Sequence, residues 1–388
     1  MEEGRPEREQ AGLLASRDSL GRNNKMADPD KRMLWLRTLD AASASGGAEY
    51  LEAEFASEVL IPGMLVYREG AVISRCTTLV ADPAGLYKFT LRLRLPPATA
   101  EALRSEGTRK GYLFPDGPIG ELIALFSLSL QARLHLVSTT IPPLGDDGVR
   151  LKTEYWPLRG RTGPGVDSIV FSPSDRNFTL SLPPFLDDLS ILPERSHQRV
   201  ATAANHYARG LRNIGLDGEM VFVRLVSAIE TVAHDRPIPG DLFEGLNAEQ
   251  LFKMDQLRED QRDGLRGLLH TRKAKVRFVG FLEQYSKGFF DGEPREPAHT
   301  HVTPETLADV AAAIYDARSG YLHNGDPMYL SPGVPMFPGW HMDASVGMTW
   351  GDRRFRAEQK LPYPEIFHRL VRYCLLAYVR SLVSAKRP

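Results

Sequence analysis

From Tyr87 to Leu95 apolar and polar positions alternate strictly. Phe89, Leu91, Leu93 and Leu95 face one way and Lys88, Thr90, Arg92 and Arg94 the other. A period of two predicts a strand with one wet face, and Pro96-Pro97 ends it. Around it the first half reads mainly as strands. Val59–Ile61 and Met64–Tyr67 lead through Arg68-Glu69-Gly70 into Ala71–Ile73, a hairpin pattern, and further strands are expected near Arg150–Trp156, Ser168–Phe171 and Phe178–Leu182. Two helices interrupt this reading, a short one over about Asp30–Ala42 and a buried one drawn from the apolar run Ile119–Leu136.

After Pro183-Pro184 and Pro193 the period changes. Glu194–Asn213 reads as a helix, and Gly218–Asp235 as another with Phe222, Val226, Ile229 and Ala233 on one stripe. Helical material continues over Asn247–Gly264 and Leu265–Tyr285. The next helix carries explicit start signals in Thr303, Pro304 and Glu305, an apolar stripe Leu307, Val310, Ala311, Ile314, Tyr321, and a left-handed stop at Gly325. An excursion over 326–360, rich in Pro, Gly, Met and Trp, precedes a closing helix from Pro364 to about Ser384. The pattern predicts an α+β chain: a polar, disordered segment over 1–30, a mainly β domain over 31–190 and an all-α bundle over 191–388. Met26 offers an alternative translation start.

Composition narrows the chemistry. The 388 residues carry a formal net charge of −1, so nucleic-acid binding has to rest on a local patch. Two cysteines, Cys76 and Cys374, give neither a disulfide framework nor a zinc site and fit a reducing, cytoplasmic compartment. No apolar run reaches the roughly 18 residues of a membrane span. His299 and His301 lack a third metal ligand nearby, and the sequence calls for no metal and no cofactor. The strand arginines Arg92 and Arg94 are expected on a solvated sheet face.

The candidate chemistry lies at the end of the capped helix, in Asp316-Ala317-Arg318-Ser319-Gly320-Tyr321-Leu322-His323-Asn324-Gly325. Arg318 falls on the buried side of the stripe, where a guanidinium needs a carboxylate or a ligand. Glu230, flanking the stripe of an earlier helix, is the best-placed partner, with Asp316 second. An arginine that grips a phosphate and a histidine that takes a proton from a ribose 2′-hydroxyl would suit phosphodiester cleavage without metal. Five residues separate the pair by about 140° and roughly 7.5 Å on an ideal helix, so they converge only if the last turn distorts or the length of the arginine side chain bridges the gap. Arg199 and His206 in an earlier helix show how readily such a spacing arises by composition. A structural ion pair at Arg318–Glu230, with His323 as a dipole-favoured C-terminal residue, is the plainer account of the same residues. A basic run, Arg266, His270, Arg272, Lys273, Lys275 and Arg277, could follow an RNA backbone or form a solvated helix face.

Three stretches, Phe222–Glu230, Val276–Leu282 and Tyr315–Gly325, occur in the order found in the HEPN superfamily, and the chain from about 195 to 385 resembles its Apea-like branch. The third stretch is similar to the family's R-x4-6-H signature with a polar residue after the arginine. The resemblance implies a helical bundle that forms a homodimer with its two motifs facing one another. It also implies, in many members, a metal-independent endoribonuclease that leaves 2′,3′-cyclic phosphate ends. Carried over by position, Arg318 and His323 would be catalytic, Ser319 a polar helper and Glu230 the carboxylate that positions Arg318. Many relatives serve phage defence or toxin–antitoxin pairs, and others are inactive modules for dimerisation or partner binding. The N-terminal half carries no resemblance and would sense or dock an inhibitory or activating partner.

Overall fold

The computed structural model describes residues 34–45, 49–101, 117–141, 149–152, 177–234, 273–291, 302–328, 349–350, 353–354 and 361–386, apart from a few positions within these spans and a few isolated ones outside them. The architecture is α+β, an antiparallel sheet followed by helices. Helix α1 (Leu34–Ser45) leads into strands β1 (Glu49–Ser57), β2 (Met64–Tyr67), β3 (Val72–Cys76) and β4 (Tyr87–Leu95). Helix α2 (Pro118–Leu130) and strands β5 (His135–Ile141) and β6 (Val149–Lys152) complete the sheet, whose order is β2-β3-β4-β1-β5-β6 with every pairing antiparallel.

Alternation in β4 does what it predicts. Phe89, Leu91, Leu93 and Leu95 are fully buried while Arg92 stands in solvent. β1 carries the matching code: Leu51, Ala53 and Phe55 are buried, and Glu52 and Glu54 point outward. Register places Glu52 opposite Arg92, joined at 2.5 Å, and Glu54 reaches Lys88 at 3.6 Å. Arg92 is thus part of a cross-strand ion pair on the wet face. The β2–β3 turn holds Arg68, Glu69 and Gly70 in the left-handed region, at φ 47°, 54° and 82°.

Then follow α3 (Phe178–Ser190), α4 (Glu194–Asn213), α5 (Gly218–Ala233), α6 (Ala274–Tyr285), α7 (Leu307–Asn324), the two-residue strands β7 (Thr349–Trp350) and β8 (Arg353–Arg354), and α8 (Pro364–Ser384). The expected helices over 194–213 and 364–384 have the predicted bounds. No described helix is long and apolar enough to cross a membrane.

Four expectations change. Phe178–Leu182 is the first turn of α3, not a strand. Asn177 caps it, accepting bonds from Thr179 N and Leu180 N at 2.8 and 3.2 Å. Pro183 and Pro184 lie inside this helix. They remove ladder bonds at about 3 kcal/mol or more for an interior proline, offset by burial of Phe178, Leu182, Phe185, Leu186 and Leu189 at about 1.5–3 kcal/mol each. The run 119–136 divides: α2 stops at Leu130, Gln131 turns left-handed at φ 50°, and the remainder enters β5. Val59–Ile61 is not a strand, and β1, whose alternation the sequence also carries, takes the place beside β4. Regular α7 begins at Leu307, after a turn in which Thr303 and Thr306 bond reciprocally, main-chain N to side-chain Oγ1. The segment 1–30 expected to be disordered, the strand expected at 168–171, nearly all of the helix expected over 247–264, His299 and His301 lie outside the described residues, as does nearly all of the 329–360 excursion.

The buried residues form one cluster from Trp35 to Val383, continuous across residue 190. Phe55 and Phe89 stack at 5.2 Å, and Phe178 meets both edge-on with Phe126 of α2 at 6.3 Å. Arg133, in the α2–β5 connection, donates to Ile214 O beyond α4 at 2.9 Å and forms an ion pair with Glu58, each side chain only 9% exposed. Truncating one member leaves a buried charge behind. Glu58→Ala is expected to lower the unfolding free energy by about 3 kcal/mol, measured by the urea midpoint, whereas Glu58→Leu with Arg133→Met loses much less. Equal losses in the two would refute this account of the pair.

Candidate active site

Helices α5 and α7 build the site by running antiparallel. Glu230, late in α5, meets Tyr315 and Arg318, while Glu219 in its first turn accepts Met328 N at 2.8 Å, just beyond the end of α7. α5 starts where Asp217 accepts Met220 N at 2.9 Å, and it buries Phe222, Leu225, Val226, Ala228 and Ile229. Glu230 is left on the partly open flank, 26% exposed.

Arg318 Nη2 donates to Glu230 Oε2 at 2.9 Å, and Tyr315 Oη donates to Glu230 Oε1 at 2.9 Å. One turn apart on α7, Tyr315 and Arg318 share a face, and the guanidinium carbon lies 5.8 Å from the tyrosine ring centroid. Phe278 of α6 backs the ring at 5.6 Å. Burial, reinforced by the Glu230 charge and hydrogen bond, pushes the Tyr315 hydroxyl up to about 12. Both Glu230 oxygens are engaged, and Arg318, 17% exposed, keeps a buried Nε–H without a partner. The arginine therefore has a fixed direction. Sequence reasoning singled out Arg318 and Glu230 but gave Tyr315 no role, although its i, i+3 spacing from Arg318 was the available signal.

His323 stands exposed on the last turn of α7. The helix runs unbroken through Gly320 to Asn324, and Gly325, at φ 72°, closes it by donating to the Gly320 and Tyr321 carbonyls. The last turn is therefore not distorted. Helical geometry keeps Arg318 and His323 about 140° apart, and the guanidinium, whose length could have bridged the gap, is turned to Glu230 instead. Ser319 is half-buried beside Arg318. Asp316, the second candidate partner for Arg318, is taken by Lys275 at 2.6 Å.

The described members of the basic run do not share one open face: Lys273 occupies the N-cap position of α6 without a side-chain capping bond, Lys275 is tied to Asp316, and Arg277 is buried at 6% exposure. Arg266, His270 and Arg272 lie outside the described residues. Among the described residues no group of three or more His, Cys, Asp or Glu could hold a metal ion. Burial pushes the Cys374 thiol up, which makes it an inert core residue.

No family model, curated protein or solved structure matches this chain. The reading rests on the residues themselves, and the Tyr315–Glu230–Arg318 clamp is its measurable part. Because the folded pKa of Tyr315 lies above the ordinary value of 10.0, its share of stability is complete below about pH 10 and is lost as pH rises through about 12. An ultraviolet difference titration of wild type against Tyr315→Phe should isolate one tyrosine ionising near pH 12, moved down by Glu230→Gln. Tyr315→Phe is expected to cost about 1 kcal/mol of stability for the lost hydrogen bond. An ordinary Tyr315 titration, unmoved by Glu230→Gln, would refute the clamp.

Proposed function

We propose that the chain is a metal-independent endoribonuclease of the HEPN type. The observation that carries this reading is a clamped arginine and an exposed histidine on the last two turns of one helix. His323 takes the proton from a ribose 2′-hydroxyl, the freed oxygen attacks the adjacent phosphorus, and the bond to the 5′-oxygen breaks, the leaving oxygen taking a proton from water and His323 returning its own to the solvent. The products are a 2′,3′-cyclic phosphate and a 5′-hydroxyl. Arg318 holds the phosphate and stabilises the charge that develops on its oxygens. Glu230 and Tyr315 aim the guanidinium, and Ser319 is a polar neighbour of the phosphate.

The 140° separation within one chain is accommodated if two copies meet along α7, so that Arg318 of one and His323 of the other serve one phosphate. In that reading the protein is a cytoplasmic homodimer acting as a regulated defence or toxin effector, with its N-terminal part receiving the trigger. A second reading is favoured by the same separation and by Glu230 already neutralising Arg318. It makes the helical half a silent dimerisation or partner-binding module.

RNA cleavage in EDTA by wild type, Arg318→Ala and His323→Ala separates the two. The endoribonuclease should form cyclic phosphate ends, and each substitution should slow cleavage by roughly 10²–10⁴-fold. Cleavage that survives both substitutions would remove the site assignment. A dimer by light scattering that cuts no RNA supports the silent module.

A further inference from the structure

Glu219 and Glu230 are eleven residues apart on α5, three turns plus about 20°. The two carboxylates therefore share one face of the helix, roughly 16 Å from each other along its axis. Both meet α7. Glu230 takes Tyr315 and Arg318, while Glu219 acts just past the helix end, where its Oε1 accepts Met328 N at 2.8 Å. The charge of Glu219, ahead of burial, raises the pKa of the Tyr321 hydroxyl above its usual value, so the carboxylate also stands near that ring.

The segment held in this way is one that ordinarily frays, because the last carbonyls of a helix have no partner within it. Here Gly325 N donates to Tyr321 O at 3.2 Å and Asp326 N to Gly320 O at 3.3 Å, a Schellman closure. Beyond Pro327 the chain goes inward. Met328 is only 6% exposed and belongs to the shared core, and Glu219 answers a main-chain N–H that burial would otherwise leave unpaired. His323 lies within the closed turn, exposed, about 160° round the helix from Tyr321. Its ring takes its place from the turn, and the turn is tied to α5.

We infer that Glu219 is a positioning residue for His323: by pinning the chain just past α7 to the first turn of α5, it fixes the roll and height of the turn that carries the base. The inference rests on the endoribonuclease reading, in which His323 is that base. One attachment at Glu230 would leave α7 free to pivot about Arg318, and a second, three turns away on the same helix face, removes that freedom. With side chains a helix has a radius of roughly 5–6 Å, so a roll of about 10° sweeps its outer surface by about 1 Å. Misplacement of about 1 Å is enough to cost on the order of 10²-fold in rate. The plainer role of Glu219, an acid favoured by the dipole in the first turn of α5, predicts an effect on stability alone.

The test uses the full chain and two readouts. Hydrogen exchange read by mass spectrometry reports on the turn without reference to RNA, and cleavage of a fluorescent RNA in EDTA gives kcat and KM. In Glu219→Ala the amides over 320–324 should exchange about tenfold faster, for the loss of a hydrogen bond to a charged group. Those of Ala274–Tyr285 in α6 should not change. kcat should fall about tenfold or more at constant KM, since Arg318 still holds the phosphate. Glu219→Gln keeps an oxygen for Met328 N and should restore both readouts, and melting temperature checks that each variant is folded. Exchange in Glu219→Ala equal to wild type would overturn the inference. So would faster exchange with kcat unmoved, or a Glu219→Gln variant as slow as Glu219→Ala. If the wild type cuts no RNA, the nuclease reading falls and exchange decides the grip by itself: faster in Glu219→Ala and restored in Glu219→Gln sustains it.

Discussion

A helix with no wet side has to be covered all round, and α2 imposes that constraint on this chain. From Ile119 to Leu130 every residue except Gly120 and Glu121 is buried. Glu121 itself accepts Trp35 N at 3.1 Å, at the start of α1. Phe126 meets Phe178 of α3, which in turn stands edge-on to Phe55 and Phe89 of the sheet, and α1 and α4 pack on other sides. Its last carbonyls, which a buried helix end cannot leave open, are met by Arg372 of α8, from Nε to Leu128 O at 2.8 Å and from Nη2 to Ser129 O at 2.5 Å. The sheet and the helices therefore share one core, with Pro183 and Pro184 inside α3 and Pro193 at the start of α4.

That continuity matters for the proposed chemistry. α4 and α5 pack at Gly210, where a Cβ would come within 3.2 Å of Leu225, and both helices rest on the core that α2 organises. The Arg318 clamp accordingly stands on helices that share that core. Arg318 is aimed by groups on two helices, whereas His323 is placed only through the turn that carries it. A site completed by a second copy would join a cation set by its own contacts to a base set by its backbone. The two readings of function differ over that junction.

Sequence patterns were informative where one period dominated. β4 and α4 have the bounds their periodicity predicts because each has one wet and one dry face. Signals failed where a segment was buried on all sides or where capping competed with alternation. Ile119–Leu136 contains a helix and a strand in one apolar run, since full burial erases both periods. Phe178–Leu182 alternates like a strand, yet the Asn177 cap and the pocket for Phe178 make it helical. At the site, Arg318 and Glu230 were legible because a charge on an apolar stripe calls for a partner. Tyr315 was not, because a half-buried tyrosine fits a stripe without any further role.

By itself the sequence determined the class: a sheet from period-two segments, then helices from 3.6-period segments, with an arginine that had to be answered by a carboxylate. It also set the Arg318–His323 spacing, since an unbroken helix fixes the angle between two of its residues. Only the tertiary structure decided that the helix stays unbroken, that Glu230 rather than Asp316 takes the arginine, and that Arg277 lies in the core while Arg195 lies in solvent. These are outcomes of which helix packs against which, and a local pattern says that a face is apolar without saying what covers it.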